Sequence, residues 1–333
     1  MVKIALAGGS GEVAHEIIDG LLAAGKHELT ILSRKVLPKS WPFPQSVLTN
    51  RHQDATPGGL IEGTTWVKVD YQDKQSLVQA LKGIHTVLSF IVVQQDPGNV
   101  AQINLIEASV EAGVKRLAPN EWASPNTPGP WQPGKIAIRE HLKELNKDKK
   151  VLEYSLFFPG QFLNYLGTPN KTAKYLSQLN TWLDFANTRA ILVEGVEERI
   201  SYTTVQDLAA VVARAVEYEG EWPVIGGVHG NTITSLEAIA LGEKIRGRPF
   251  AVERVKAEDI KAGELKSSWV PLLEHPAIPK EQAEFFSRIF VTSALQGSLE
   301  NAWEVSDEWN RLLPDFEFTS VEKFLTEVWA GKP

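Results

Sequence analysis

The sequence predicts an α/β protein, a doubly wound parallel sheet flanked by helices and followed by a smaller, mostly helical lobe. Three observations carry that prediction. Short apolar runs alternate with helix-period stretches through the first half of the chain, the pattern that strand–helix–strand crossovers require. The first run leads straight into the small residues Gly8-Gly9-Ser10-Gly11 and then into an apolar helical stretch. Beyond Gly160 the alternation loosens, and the last part is rich in Trp, Phe and helix formers.

Taken in order, KIALAG reads as the first strand, with ELTILSR, TWVKVDY, HTVLSFIV, KRLAPN and LEYSLFFPG as the next five. Helical spacing appears at residues 12–24, 74–81, 99–112 and 135–145. Right-handed crossovers between these strands place a ligand crevice at their carboxyl ends. The stretch from Val36 to Thr64, with PKSWPFP and TPGG, reads as a long loop between the second and third strands. Further on, the pattern predicts a helix near 172–185, a hairpin at ILVEGVEERISY, and a capping box at Thr204-Val-Gln-Asp207, with Asp207 satisfying the helix terminus. The expected domains are a dinucleotide-binding domain over 1–160, its core continuing into about 190–230, and a substrate-binding lobe over 161–333, whose last part, 249–333, closes over the crevice.

Composition narrows the function classes. A net charge of -7 without a dense Lys/Arg run argues against nucleic acid as a partner. With no cysteine, disulfides, thiolate nucleophiles and thiolate metal sites are removed, and no metal site is expected. The longest apolar run, around Thr86–Val93, is too short to cross a bilayer, so no membrane partner is expected and the cytoplasm is the expected location.

The glycine cluster matches G-x-x-G-x-x-A from Gly8 and G-x-G-x-x-A from Gly9, at a strand–helix junction. Small residues there let the backbone approach a pyrophosphate, whose charge meets the open N–H groups of the helix start. Gly8, Gly9, Ser10, Gly11, Glu12 and Val13 are therefore cofactor candidates, Glu12 with its carboxylate turned outward, away from the phosphate. The second strand ends in Ser33-Arg34-Lys35, where a carboxylate would select NAD. Arg34 and Lys35 favour a 2′-phosphate instead, so the expected cofactor is NADP(H). Asp70 either faces the adenine or starts the next helix, while Ser89 and Phe90 end the fourth strand beside the nicotinamide half.

Lys135 continues the apolar stripe of Ile138, Leu142 and Leu145, and an inward lysine either snorkels or faces a ligand cavity. Burial beside an oxidised nicotinamide would lower its pKa toward neutrality. Short-chain dehydrogenases place Tyr-x-x-x-Lys where such a helix begins, but here Trp131 stands at the tyrosine position and cannot act as the acid.

These motifs together resemble the NmrA-like and isoflavone reductase-like branch of atypical short-chain dehydrogenases, in its fungal biosynthetic form. GGSGEVA resembles that family's glycine loop, LSRK its basic turn, Pro119-Asn120-Glu121-Trp122 its Pro-Ser-Glu-Phe segment, and Lys135-x-x-x-Arg139 its catalytic lysine with an accompanying arginine. Phe158-Pro159-Gly160 and Phe162-Leu163-Asn164-Tyr165 are similar to the family's strand end and substrate-side loop. The resemblance implies that Lys135 serves without the tyrosine, that Asn120 takes the family's serine position in the catalytic set, and that Phe158, Pro159 and Gly160 border the cofactor. Trp122, Trp131, Phe162 and Tyr165 are the implied substrate contacts, suited to an aromatic or indolic small molecule. It further implies an NADPH-dependent oxidoreductase acting on a conjugated or aromatic intermediate of secondary metabolism. Two alternatives stand beside it: an NADP(H)-dependent redox cyclase, such as one performing a Diels-Alder type step without net redox change, and an NADP(H)-sensing regulator without catalysis. Asn120 in place of serine, Glu12, and the long loop after Lys35 depart from the family pattern.

Overall fold

The computed structural model describes residues 1–34, 63–126, 128–273 and 280–332. Lys35 and nearly all of the expected 36–64 loop lie outside the described residues. The chain forms two compact units, one of Met1–Asn120 with Gly134–Tyr154 and the other of Glu121–Pro133 with Ser155–Pro333.

In the first unit, β1 (Val2–Ala7), β2 (His27–Ser33), β3 (Thr64–Lys68), β4 (Thr86–Ser89), β5 (Arg116–Ala118) and β6 (Glu153–Tyr154) form one sheet in the order β3-β2-β1-β4-β5-β6. All its pairings are parallel. The helices between them are α1 (Glu12–Ala23), α2 (Lys74–Ala80), α3 (Val100–Glu111) and α4 (Gln132–Leu145). Ile4, Ala5, Leu6 and Ala7 are fully buried, as expected of a central parallel strand covered on both faces. Ala7 pairs with Leu32 on one side and Ser89 on the other, so the carboxyl ends of β2, β1 and β4 lie side by side. Between β1 and β4 the winding reverses, and there an open α/β sheet leaves its crevice.

The run LEYSLFFPG serves two sheets. Its first part is β6, whereas β7 (Leu156–Phe158) pairs in parallel with β12 (Ile225–Gly227) in the second unit. Between them Ser155 is fully buried, its hydroxyl accepting from Trp309 Nε1 at 3.3 Å.

The second unit adds short strands to its helices. β8 (Gln161–Phe162), β11 (Arg199–Thr203) and β13 (Asn231–Thr234) form one small sheet, and β9 (Leu183–Asp184), β10 (Arg189–Val193) and β14 (Ala251–Val255) another. The helices are α5 (Val205–Glu217), α6 (Ser235–Arg246), α7 (Ala257–Lys261), α8 (Ala283–Leu299), α9 (Glu308–Leu312) and α10 (Val321–Trp329). A core of Trp182, Phe185, Ile191, Tyr202, Leu295 and Leu325 lies among them.

Three local expectations are corrected here. No helix forms over 172–185; the Thr172 carbonyl accepts from the side chains of Asn164 and Gln206, and Trp182 is buried just before β9. Side-chain amides have taken a carbonyl that a helix would use, and tertiary burial has overridden propensity. ILVEGVEERISY is not a hairpin, because β10 and β11 belong to different sheets. Four of the five residues in each strand are buried, so each finds partners on both sides elsewhere. Thr204 does cap α5 by accepting from the Asp207 amide at 3.0 Å. The Asp207 carboxylate, however, accepts from the Thr319 amide and hydroxyl, and the reciprocal box forms instead at Thr234 and Glu237.

Among the described residues no helix is long and apolar enough to cross a membrane, and no group of three or more His, Cys, Asp or Glu is placed to hold a metal.

Candidate cofactor site

The glycine turn is built for close backbone approach. Gly8 has φ +73°, and a Cβ there would sit 2.8 Å from both the carbonyl carbon and oxygen of Phe90. A Cβ on Gly9 would meet Ile31 Cγ2 at 2.9 Å. Gly11 is the N-cap of α1, offers no side-chain cap, and closes the turn by donating to the Gly8 carbonyl at 3.2 Å. Ser10 and Gly11 are exposed, while Glu12 and Val13 are half-buried in the first turn. A helix start without a side-chain cap and the helix dipole suit an anion at this point.

Tyr71, which sequence reasoning passed over, braces the turn from below. Its hydroxyl donates to the Leu32 carbonyl at 3.0 Å and accepts from the Gly8 amide at 3.2 Å. Burial pushes the phenol above its ordinary range, with the Gly8 amide and then Arg34 pulling the other way. The hydroxyl therefore stays a neutral donor and acceptor across the physiological range. Arg34 is exposed just beyond β2, near enough to act on Tyr71 electrostatically. Asp70 is exposed and its carboxylate accepts from the Gln72 amide at 2.9 Å; the capping of α2 belongs to Asp73, which accepts from the Gln75 amide.

On the other side of β1, the Ser89 hydroxyl donates to Gln102 Oε1 at 2.7 Å, and the Phe90 amide donates to the Ala7 carbonyl at 2.7 Å. Asn120 follows β5 and donates its Nδ2 to the Ile91 carbonyl at 2.6 Å. Lys135 is half-buried in the first turns of α4, whose buried positions are Ile138 and Leu142. Immediately before it, the Gly134 carbonyl accepts from Asn99 Nδ2 at 3.0 Å. The first unit thus gathers Gly8–Gly11, Arg34, Ser89, Phe90 and Asn120 at the carboxyl edge of its sheet, with Lys135 on the crossover that follows β5. No sequence signal announced Tyr71 or the Asn99–Gly134 contact, whose partners are 63 and 35 residues apart.

The remaining candidates belong to the second unit. Phe158, Pro159 and Gly160 are buried, and Gly160, at φ +70°, passes so near Ser201 that a Cβ would lie 2.2 Å from its carbonyl oxygen. Phe162 and Tyr165 meet edge to face, centroids 5.8 Å apart. Trp131 is half-buried, its ring over Gly129. Trp122 is 6% exposed and stacks on Phe157 at 5.4 Å, and Phe157 in turn stacks on Trp309. Its indole is core packing in this unit, and its φ of +40° is strained for a bulky residue.

A sheet of this order, with an uncapped glycine turn at its switch point, is the doubly wound arrangement of dinucleotide-binding α/β proteins. The chain belongs to the NmrA-like family, whose model matches residues 2–325. It is 24% identical to oxidoreductase swnN of Metarhizium robertsii, over all of this chain and 98% of that protein. It is 25% identical to the bifunctional pinoresinol-lariciresinol reductase of Linum perenne, over 97% and 98% of the two chains. Among solved structures, it resembles the NADPH complex of the quinone oxidoreductase QOR2 from Escherichia coli, with TM-score 0.64 and 20% identity over 98% of this chain and 99% of that one. The family and its named relatives make this chain an enzyme of the oxidoreductase class.

Proposed function

We propose that the protein is an NADPH-dependent reductase of a conjugated or aromatic small molecule, with Lys135 carrying the proton. The observation that supports this most is the turn at Gly8, where a Cβ would strike the Phe90 carbonyl and α1 begins without a side-chain cap. That cradle fits a pyrophosphate, so the residues present fit the cofactor. Bound NADPH would supply the hydride.

The chain's own residues do the rest. The glycine turn Gly8–Gly11 and the start of α1 would hold the pyrophosphate, and Arg34, with the charge of Lys35, would meet the 2′-phosphate. Asn120, fixed to the Ile91 carbonyl, keeps the chain after β5 against the end of β4. Lys135 would hold the nicotinamide ribose through its Nζ, and it would donate a proton to the substrate atom that becomes electron-rich on reduction and recover one from solvent. Phe162, Tyr165 and Trp131 offer aromatic surface for a flat substrate.

Pinoresinol and a simple quinone, incubated in turn with enzyme and NADPH, provide the first test. Loss of the reduced-nicotinamide absorbance, with a product heavier than its substrate by one hydride and one proton, supports the reading. A product isomeric with its substrate, formed while the cofactor absorbance returns to its starting level, would replace it with a redox-neutral cyclisation.

A further inference from the structure

Three parts of the first unit meet on one short stretch, Phe90 to Asn99. Gly8 rests on the Phe90 carbonyl, Asn120 is tied to the Ile91 carbonyl, and the start of α4 seats on Val93 and Asn99. The last of these is the least ordinary. Asn99 stands at the N-cap of α3, where an asparagine side chain usually accepts from the helix's own amides. Here it makes no such cap. Asp96 takes that task, its two carboxylate oxygens accepting from the amides of Ala101 and Gln102 at 2.9 and 3.0 Å. The Asn99 side chain, 8% exposed and on a left-handed backbone at φ +57°, turns to α4 instead and donates to the Gly134 carbonyl.

Gly134 is the notch that admits this contact. A Cβ there would lie 2.4 Å from Val93 Cγ1 and 3.1 Å from Asn99 Oδ1. Glycine inside a helix is less stable than alanine, and close approach of another element explains its use here. Lys135 is the very next residue.

We infer that Asn99 is a positioning residue for Lys135: its amide and the Gly134 notch fix the first turn of α4 on the β4–α3 loop and so set where the lysine Nζ stands. This rests on the reading of Lys135 as proton carrier. A displacement of about 1 Å at a catalytic group can cost about 100-fold in rate. Asp96 and the amides it caps hold the loop rigid, so the clamp does not depend on Asn99 for its own shape.

The test uses Asn99→Gly, which retains the left-handed backbone and deletes the amide; Asn99→Asp, which keeps the shape but turns an acceptor on the Gly134 carbonyl; and Gly134→Ala. Lysines are labelled by reductive carbon-13 methylation, and the Lys135 resonance is assigned by its loss in Lys135→Met. In all three variants the Lys135 resonance is expected to split, or its titration midpoint to move by about half a pH unit or more. NADP+ affinity should stay within about threefold and NADPH-dependent turnover should fall by about 10- to 100-fold. Titrations superimposable on the wild type in variants that fold would overturn the inference, as would unfolding of all three, which would make the contact a plain folding element. If Lys135→Met itself kept the wild-type rate, the proton-carrier reading would fail while the resonance still reported whether Asn99 positions the lysine.

Discussion

In the proposed function, cofactor choice turns on Arg34. It stands exposed beyond β2, within electrostatic reach of Tyr71 and hence of the glycine turn. Arg34→Ala should remove most of any preference for NADP(H) over NAD(H), a change of about 1.5–3 kcal/mol for a charge-assisted contact; equal dissociation constants for the two cofactors in the wild type would contradict the assignment. Lys135→Met keeps an aliphatic stem on the stripe of Ile138 and Leu142 while removing the ammonium. It should fold with a near-normal melting temperature and lose about 10²- to 10⁴-fold in kcat, and wild-type turnover across pH would return Lys135 to a snorkelling role. Tyr71→Phe leaves the Leu32 carbonyl and the Gly8 amide without their shared hydroxyl. Denaturant melts should show a loss of about 1–3 kcal/mol, and calorimetry a weaker NADP+ affinity. The placement of the glycines after β1 and of Arg34 after β2 was legible in the sequence because each belongs to a local pattern at a strand end. Tyr71 and Asn99 were not, since nothing near them in the chain says which distant backbone group they meet.

At the scale of elements, the strands of the first unit were legible because each is a compact apolar run bounded by turn residues, and the helices because their apolar period persists. Beyond Gly160 the same signals misled. ILVEGVEERISY contains two good strands and a Gly turn, and only the burial of both strands on both faces tells that they part to different sheets. The edge of the first sheet away from the cofactor turn offers a separate pH test. His85, just before β4, contacts Thr86 Oγ1 at 2.8 Å beside the Arg116–Glu153 ion pair. Burial, then Arg116 and Lys115, hold its imidazole below the usual value, with Glu153 opposing. His229 in the second unit is held low by burial too. The unfolded chain then binds more protons than the folded one once pH drops below the free imidazole value of about 6.5, so stability should decline there and level off above it. Melting curves from about pH 8 down to about pH 5.5 should show that decline, shallower in His85→Asn. A melting temperature insensitive to pH over that window would speak against the depressed imidazoles.

Across the whole molecule, two compact units share one chain, and the candidate residues divide between them: the glycine turn, Arg34, Asn120 and Lys135 in the first, Trp131, Phe162 and Tyr165 in the second. The chemistry proposed joins a hydride from nicotinamide to a proton from Lys135, and a single turnover reads both. With NADPH carrying deuterium at the transferable position, pinoresinol as substrate, and ordinary water as solvent, the product should gain one carbon-bound deuterium and one solvent proton, and the cofactor should end fully oxidised. A product with the mass of its substrate, with the deuterium still on the nicotinamide, would contradict a net reduction.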